Sequence, residues 1–242
     1  GVLGVAISTI SQDSNVSANV AESLSLQQSD IAFSGSVLAL ATFQGYLYAG
    51  GAFRAAGSVR NILVWDGVRV SDVGYGVDGA VVAMVMYAGR LVVGGSFNRA
   101  YNARSAASFG AVASSQRVVR GSIVSWDGAI WAKMNGNVPD FGRVSALHAT
   151  ERFLYGAGRI RGGSTTNLGG GREGDAVIVC NGTVWTVLGT ADGPVHTLAS
   201  FDGALYAGGS FSTLSGVVAT GLAVWETTSS GERGSGSGSG SG

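Results

Sequence analysis

GYLYAGGAF, Gly45–Phe53, is written four times in this chain with small variations: GRLVVGGSF at Gly89–Phe97, RFLYGAGRI at Arg152–Ile160 and GALYAGGSF at Gly203–Phe211. Each copy follows a short apolar run rich in β-branched residues: VLALATF, VVAMVMY, VSALHAT and VHTLASF. These runs are too short for independent helices, so each reads as a buried strand. Between run and copy sit Gln44-Gly45, Ala88-Gly89 and Asp202-Gly203. A two-residue link with glycine suits a hairpin, because a primed turn demands the positive φ that glycine tolerates. The third unit has Glu151-Arg152 at this place and lacks that signal.

Further strands follow in every unit. ILVWDG, SIVSWDG, VIVCNG and LAVWETT read as third strands. Asp66-Gly67, Asp127-Gly128 and Asn181-Gly182 mark tight turns into fourth strands, VRVSDVG, AIWAKMN and TVWTVLG. Aligned on Val37, Val81, Val144 and Val195, the repeats are spaced by 44, 63 and 51 residues. Insertions around Tyr101 to Arg120 and in RGGSTTNLGGGREG account for the longer spacings, leaving a unit near 44 residues. That period belongs to propellers and solenoids. A four-stranded sheet apolar on both faces cannot stand alone in water, whereas sheets stacked radially cover one another.

The chain is therefore expected to be all-β, a β-propeller of about four four-stranded antiparallel blades, with the possibility that it is a piece of a larger one. Residues 1–227 form the propeller domain, with repeats at 37–80, 81–143, 144–194 and 195–227, and residues 228–242 form a flexible Gly/Ser tail. The fourth unit reads as three strands. The segment ESLSLQQSDIAFSG occupies the place that a fourth strand and its exit loop hold before Val81, so residues 20–30, around Leu24 to Gln27, are a possible closing strand. The opening GVLGVAISTI reads as a strand in preference to the end of a signal peptide, since no basic flank precedes it.

The paired glycines Gly50-Gly51, Gly94-Gly95 and Gly208-Gly209 close strand two, where a missing Cβ permits a close backbone approach. A phosphate cradle would need a following helix, and neither Ala52-Phe53 nor Ser96-Phe97 opens a helical period. An apolar strand, LYxGG, a variable loop, WDG and an aromatic residue in strand four together resemble the Kelch repeat of galactose-oxidase-like propellers. The spacing of GGxF and WDG is most similar to the degenerate Kelch-like repeats of bacterial surface proteins and fungal cortical polarity-marker proteins. The resemblance spans residues 37 to about 227 and implies the propeller fold, while leaving function open. It departs at Gly156-Ala157-Gly158, and at Cys180 where the other units have tryptophan.

Titratable chemistry is sparse. Of 242 residues, 45% are hydrophobic and 12% charged, and formal net charge is zero with 14 Arg and one Lys. Neutrality argues against nucleic-acid partners, and no apolar run approaches the roughly 20 residues that span a bilayer, which argues against direct insertion. One cysteine excludes an internal disulfide framework and a cysteine-rich zinc site. His148 and His196 lie in strand-one segments at unmatched repeat positions and read as core or rim residues. Galactose oxidase holds copper with two histidines and tyrosines, one cross-linked to cysteine; this sequence has no matching constellation. No catalytic, cofactor or metal residue is assigned. Asp66 and Asp127 read as turn residues in preference to a carboxylate pair, and Trp65, Trp126 and Trp225 as packing between blades.

One charge feature stands out. Between Asp78 and Asp127 there is no acidic residue, while Arg90, Arg99, Arg104, Arg117 and Arg120 all fall there. Propeller loops emerge on the faces where partners bind, which makes Arg99, Arg104, Arg117 and Arg120 a candidate partner-binding loop; the alternative is arginines paired with other blades. Asn181 and Asn15 are candidate glycosylation sites, each in an Asn-x-Ser/Thr sequon. The expected function is a non-enzymatic binding or scaffold domain of a larger secreted or cell-surface protein, meeting a protein or glycan partner through its loops. A hydrolase or oxidase with a site on one face, and an intracellular Kelch-type adaptor in the cytoplasm, are the alternatives.

Overall fold

The computed structural model describes residues 33–55, 60–102, 118–161 and 174–226. These residues form strands and turns, with no helix among them, in four antiparallel sheets arranged as a four-bladed β-propeller. Blade one is β1 (Phe33–Phe43), β2 (Tyr46–Ala55), β3 (Arg60–Trp65) and β4 (Val70–Asp72). Blade two is β5 (Val81–Tyr87), β6 (Arg90–Gly95), β9 (Ile123–Trp126) and β10 (Trp131–Lys133), interrupted by a hairpin of β7 (Arg99–Tyr101) and β8 (Val118–Arg120). Blade three is β11 (Phe141–Ala149), β12 (Leu154–Ile160), β13 (Gly174–Cys180) and β14 (Trp185–Ala191). Blade four has β15 (Val195–Phe201), β16 (Ala204–Gly209) and β19 (Leu222–Trp225); its hairpin, β17 (Thr213–Leu214) and β18 (Val217–Val218), joins the edge of β14. The possible closing strand at 20–30, the tail at 228–242, Asn15, Arg104 and Arg117 lie outside the described residues.

The three two-residue links form as the sequence requires. Gln44 and Gly45 have φ of 52° and 79°, Ala88 and Gly89 49° and 72°, Asp202 and Gly203 49° and 76°. Positive φ at both centres is the type I′ signature. The third unit instead turns over four residues: the Thr150 N–H donates to the Phe153 carbonyl, and the Phe153 N–H donates to Thr150 Oγ1. The Asp/Asn-Gly turns also differ from tight two-residue links. Trp65 pairs with Val70, Trp126 with Trp131 and Cys180 with Trp185, leaving four-residue loops. In each, a side-chain Oδ1 accepts two backbone N–H groups: Val68 and Arg69 on Asp66, Ala129 and Ile130 on Asp127, Thr183 and Val184 on Asn181. The glycine supplies the left-handed residue, and the carboxylate or amide replaces a backbone acceptor.

The second glycine of each pair faces a bulge in strand one. Register slips between Val37 and Ala39, Val81 and Ala83, Val144 and Ala146, and Val195 and Thr197. A Cβ on Gly51, Gly95, Gly158 or Gly209 would fall on the carbonyl oxygen of Ser36, Ala80, Arg143 or Pro194 respectively. The first glycine answers to the next blade. A Cβ on Gly50 would strike Val81, and one on Gly94 would lie 2.8 Å from Val144 Cγ1. Ala157 occupies this position in blade three and packs with Val195, so the third seam admits a methyl group. This accounts for the Gly156-Ala157-Gly158 departure.

Each seam is an apolar core with one face from each blade. Phe43, Tyr48 and Ile62 of blade one meet Val81, Met84 and Val124 of blade two. Tyr87, Val92 and Ile123 of blade two meet Val144, Leu147 and Ile178 of blade three. Ala146 and Val177 of blade three meet Val195, Leu198 and Ala207 of blade four. Trp126 is buried in the first seam, while Trp65 and Trp225 are only half-buried. The tryptophans of strand four bind the seams by hydrogen bonds: Trp131 Nε1 donates to the Val73 carbonyl at 3.2 Å and Trp185 Nε1 to the Asn135 carbonyl at 2.8 Å.

Gly95→Ala is expected to cost a few kcal/mol, because backbone must shift to clear the new methyl group, and Gly94→Val a similar amount by overpacking the second seam. Ser96→Ala, at an exposed neighbour, should stay within about 0.5 kcal/mol of the parent. Matched urea melts decide this; equal midpoint shifts in all three would refute the roles given to the glycines.

Candidate binding cleft

The hairpin inserted into blade two sets up a polar cleft. Arg99 on β7 and Arg120 on β8 are direct cross-strand partners, which places two guanidinium stems side by side. The start of the hairpin is fixed from below. Asp78 Oδ1 accepts the backbone N–H groups of Asn98 at 2.8 Å and Arg99 at 2.9 Å, and the Asp78 N–H donates to the Arg99 carbonyl. Tyr75 and Tyr101 complete the tie: the Tyr75 N–H donates to the Tyr101 carbonyl, and the Tyr101 N–H to the Gly76 carbonyl.

A cleft of about 750 Å³ runs from this hairpin to the entry of blade three. Its cations are Arg99, Arg120, Lys133 and Arg161, facing two carboxylates, Asp78 and Asp140. Lys133 ends β10. Arg161 follows β12, where its N–H donates to the Asp140 carbonyl, and its side chain lies beside Gly142, whose Cβ would be 3.2 Å from Nε. Beneath the cleft, the buried Ser122 hydroxyl donates to the Phe141 carbonyl at 2.6 Å, joining blades two and three. All four cations are exposed. Arg90 and Asp127 form an ion pair at 3.2 Å in blade two, whereas neither Asp78 nor Asp140 lies within ion-pair distance of a cleft cation, and four cations stand against two carboxylates.

Two of the four candidate loop arginines therefore sit in one cleft, joined by two cations that the sequence reading did not single out. Arg161 was within reach: equating Val81 with Val144 puts it at the position of Asn98, beside Arg99 on the neighbouring blade. The anchoring motif was also present in the sequence. Asp78-Gly79-Ala80-Val81 recurs as Asp192-Gly193-Pro194-Val195, and Asp192 Oδ1 likewise accepts the N–H groups of Ser212 and Thr213.

The remaining candidates are placed apart from this cleft. His148 is half-buried on β11, its Nε2 2.8 Å from Ser200 Oγ across the third seam, and burial pushes its pKa down. His196 is exposed on β15, 3.0 Å from Ser210 Oγ. Cys180 is buried, and burial pushes its thiol pKa up, opposed by an N–H from Gly182. Its thiolate is disfavoured, as is its reactivity. Asp66 and Asp127 occupy the turns of different blades. Asn181 is exposed, and Oδ1 alone serves its turn. The described residues contain no cluster of three or more His, Cys, Asp or Glu disposed to hold a metal ion. The cleft offers charge and hydrogen-bond donors to an anion.

No protein-family profile matches the chain, and no curated protein matches it either. Among solved structures it is similar to the computationally designed Ika4 protein, at 17% identity over 79% of this chain and 91% of that one, with a TM-score of 0.41. A second likeness is to the computationally designed Ika8 protein, at 17% identity over 82% of this chain and 73% of that one, with a TM-score of 0.30.

The turn carboxylates carry a pH signature. Backbone N–H bonds from Arg69 and Val68 hold the Asp66 carboxyl below its usual range, and those from Thr213 and Ser212 do the same for Asp192. Burial pulls Asp127 upward, but the N–H groups of Ile130 and Ala129 with the nearby Arg90 outweigh it, so it too lies low. A carboxyl whose folded pKa is depressed contributes stability that is present above the unfolded value, about pH 4, and lost as pH falls through the folded one. The melting temperature is expected to fall on acidification below about pH 4, and to fall less steeply when Asp66, Asp127 and Asp192 are all changed to Asn. Parallel acid profiles for parent and triple variant would reject this assignment.

Proposed function

We propose that this chain is a non-enzymatic interaction module of a larger secreted or cell-surface protein, a Kelch-type propeller that displays the blade-two cleft to an acidic segment of a partner protein. The observation carrying this reading is the set of four exposed cations from two adjacent blades around one cleft, with Asp78 committed to backbone N–H groups. A rigid scaffold holding a surplus of one charge favours encounter with a partner of the other and sets its register. The half-buried Met134, Val138 and Pro139 lie in the same cleft and give apolar contact to peptide side chains. Among the described lining residues Phe141 is the only aromatic ring and is 1% exposed, so these residues offer no flat face on which a sugar could stack. In a eukaryotic secretory setting the exposed Asn181 turn is the site expected to carry a glycan.

A fluorescein-labelled glutamate-rich peptide, followed by anisotropy, tests the reading. Arg99→Glu with Arg120→Glu should weaken binding at least about tenfold, Arg161→Glu should weaken it as well, and raising salt should do so in the parent. Arg69→Glu, on the exposed β3–β4 turn, should leave it close to the parent. Absence of binding, equal loss in the Arg69 control, or tighter binding of a sulfated polysaccharide would overturn the acidic-peptide assignment.

A further inference from the structure

The ladder of the inserted hairpin fixes how its two arginines face each other. Both backbone polar groups of Arg99 turn to Asp78: the N–H donates to Oδ1 at 2.9 Å, and the carbonyl accepts the Asp78 N–H at 3.1 Å. The Gly121 N–H donates to the Asn98 carbonyl, one step along the ladder. Arg99 and its partner Arg120 therefore form a non-hydrogen-bonded pair, the kind that brings side chains closest, with Cα atoms about 4.5 Å apart. Alternation sets the direction. Ala100 and Val119, the next pair, are buried in the first seam, so Arg99 and Arg120 project together from the other face and line the cleft.

Like charges directly opposite on one face of a sheet destabilise it. Among the described residues no carboxylate relieves this pair. Asp78 stands beside it with Oδ1 occupied by the Asn98 and Arg99 N–H groups, and it makes no ion pair with either arginine. The other cations of the lining, Lys133 and Arg161, raise the local charge further. An anion from outside would relieve it, and the pairing selects which anion. A carboxylate brings one charge and is satisfied by a single guanidinium fork. A phosphomonoester brings three acceptor oxygens and close to two negative charges at neutral pH, so it can take a fork from each arginine and match the charge of the pair. A sulfate ester has the oxygens but only one charge. A phosphotyrosine adds a ring for which the described lining has no exposed aromatic face, since Phe141 is buried. Serine and threonine carry the phosphate on a short aliphatic stem and need no such platform.

We infer that Arg99 and Arg120 are a clamp for a phosphoserine or phosphothreonine within the partner's acidic segment, a role that rests on the acidic-peptide reading of the cleft and adds to it the modification that the segment carries. Phosphorylation of the partner then raises its affinity for the propeller, and its removal releases the segment. Lys133 at the end of β10 and Arg161 after β12 are left to meet carboxylates that flank the phosphate. The like-charge pair costs the free protein some stability and returns it only when the dianion is bound, so the hairpin is built for occupancy.

Three fluorescein-labelled glutamate-rich peptides that differ only at a central serine, phosphoserine or aspartate test the clamp by anisotropy on the full chain. The phosphoserine peptide should bind at least about tenfold more tightly than the serine peptide, with the aspartate peptide close to serine. Arg99→Lys with Arg120→Lys keeps both charges and removes both forks. It should erase most of the phosphoserine advantage and leave the serine peptide near its parent affinity. Arg120→Thr without any ligand should melt no lower than the parent, because it removes a like-charge contact; a clearly lower melting temperature would make the pair structural and overturn the clamp. Equal affinity for the serine and phosphoserine peptides overturns the clamp and leaves the acidic-peptide reading standing. Binding of neither overturns both. A phosphoserine advantage that survives the lysine variant places the phosphate on another surface, and inorganic phosphate that competes at the phosphopeptide's own concentration makes the ligand a free anion; either result overturns the assignment.

Discussion

Every blade is apolar on both faces, and that single constraint dictates the rest of the architecture. A sheet that buries only one face can rest on a helix or on a second sheet; these sheets have two faces to cover, and radial stacking covers both with copies of the same unit. The seam residues show the reciprocity. Ile62 and Leu63 are consecutive on β3 and point to opposite faces, Ile62 into the first seam and Leu63 into the cluster of Ala49 and Phe53 behind blade one. Ile123 and Val124 divide in the same way between the second and first seams. The glycine pair adjusts this stacking at two levels: one glycine lets strand one bulge, the other sets how near the next blade comes.

Apolar faces alone would let blades slide, because burial is non-directional. The polar ties between blades remove that freedom. Trp131 and Trp185 reach from strand four to a carbonyl of the preceding blade's exit, and Asp78 and Asp192 bind the loop that the following blade sends over them. Ser145 Oγ adds a donor to the Val195 carbonyl across the third seam. Asn102 serves a related purpose at the free edge of β10. Its amide donates to the Trp131 carbonyl and accepts the Trp131 N–H, so a side chain takes the place of a neighbouring strand at that residue. The cleft inherits this rigidity, since Arg99 and Lys133 leave from strands held by these ties, and the Arg161 N–H is fixed on the Asp140 carbonyl.

What the sequence makes legible follows from the range of each interaction. The hairpins of Gln44-Gly45, Ala88-Gly89 and Asp202-Gly203 are local, and a residue pair suffices to specify them. The repeat in turn makes four local readings support one another, so the propeller could be read without any knowledge of contacts. The Asp-Gly turns were misjudged in length because Asp-Gly serves both a two-residue primed turn and a four-residue loop closed by the carboxylate; the choice rests on the register between strands, which sequence spacing does not report. The cleft was half legible for a related reason. Arg99 and Arg120 belong to one insertion and stand out as a charge imbalance, whereas Lys133 and Arg161 come from other segments and join them only once blades two and three are stacked.

Charge balance in the whole chain conceals the imbalance that matters locally. Asp66, Asp78, Asp127 and Asp192 each spend a carboxylate oxygen on a pair of backbone N–H groups. An acceptor used in this way stabilises a turn and fixes the carboxylate to the fold, so it reaches only an arginine already beside the turn, as Asp127 Oδ2 does Arg90. The cations have no equivalent duty in a β-turn, because guanidinium and ammonium groups only donate and the turn needs acceptors. A propeller that builds its turns from aspartate therefore distributes negative charge wherever the repeat places a turn, while the insertions remain free to concentrate positive charge. Among the described residues positive charge gathers at the junction of blades two and three, where net neutrality of the sequence coexists with a cleft in which four cations outnumber two carboxylates.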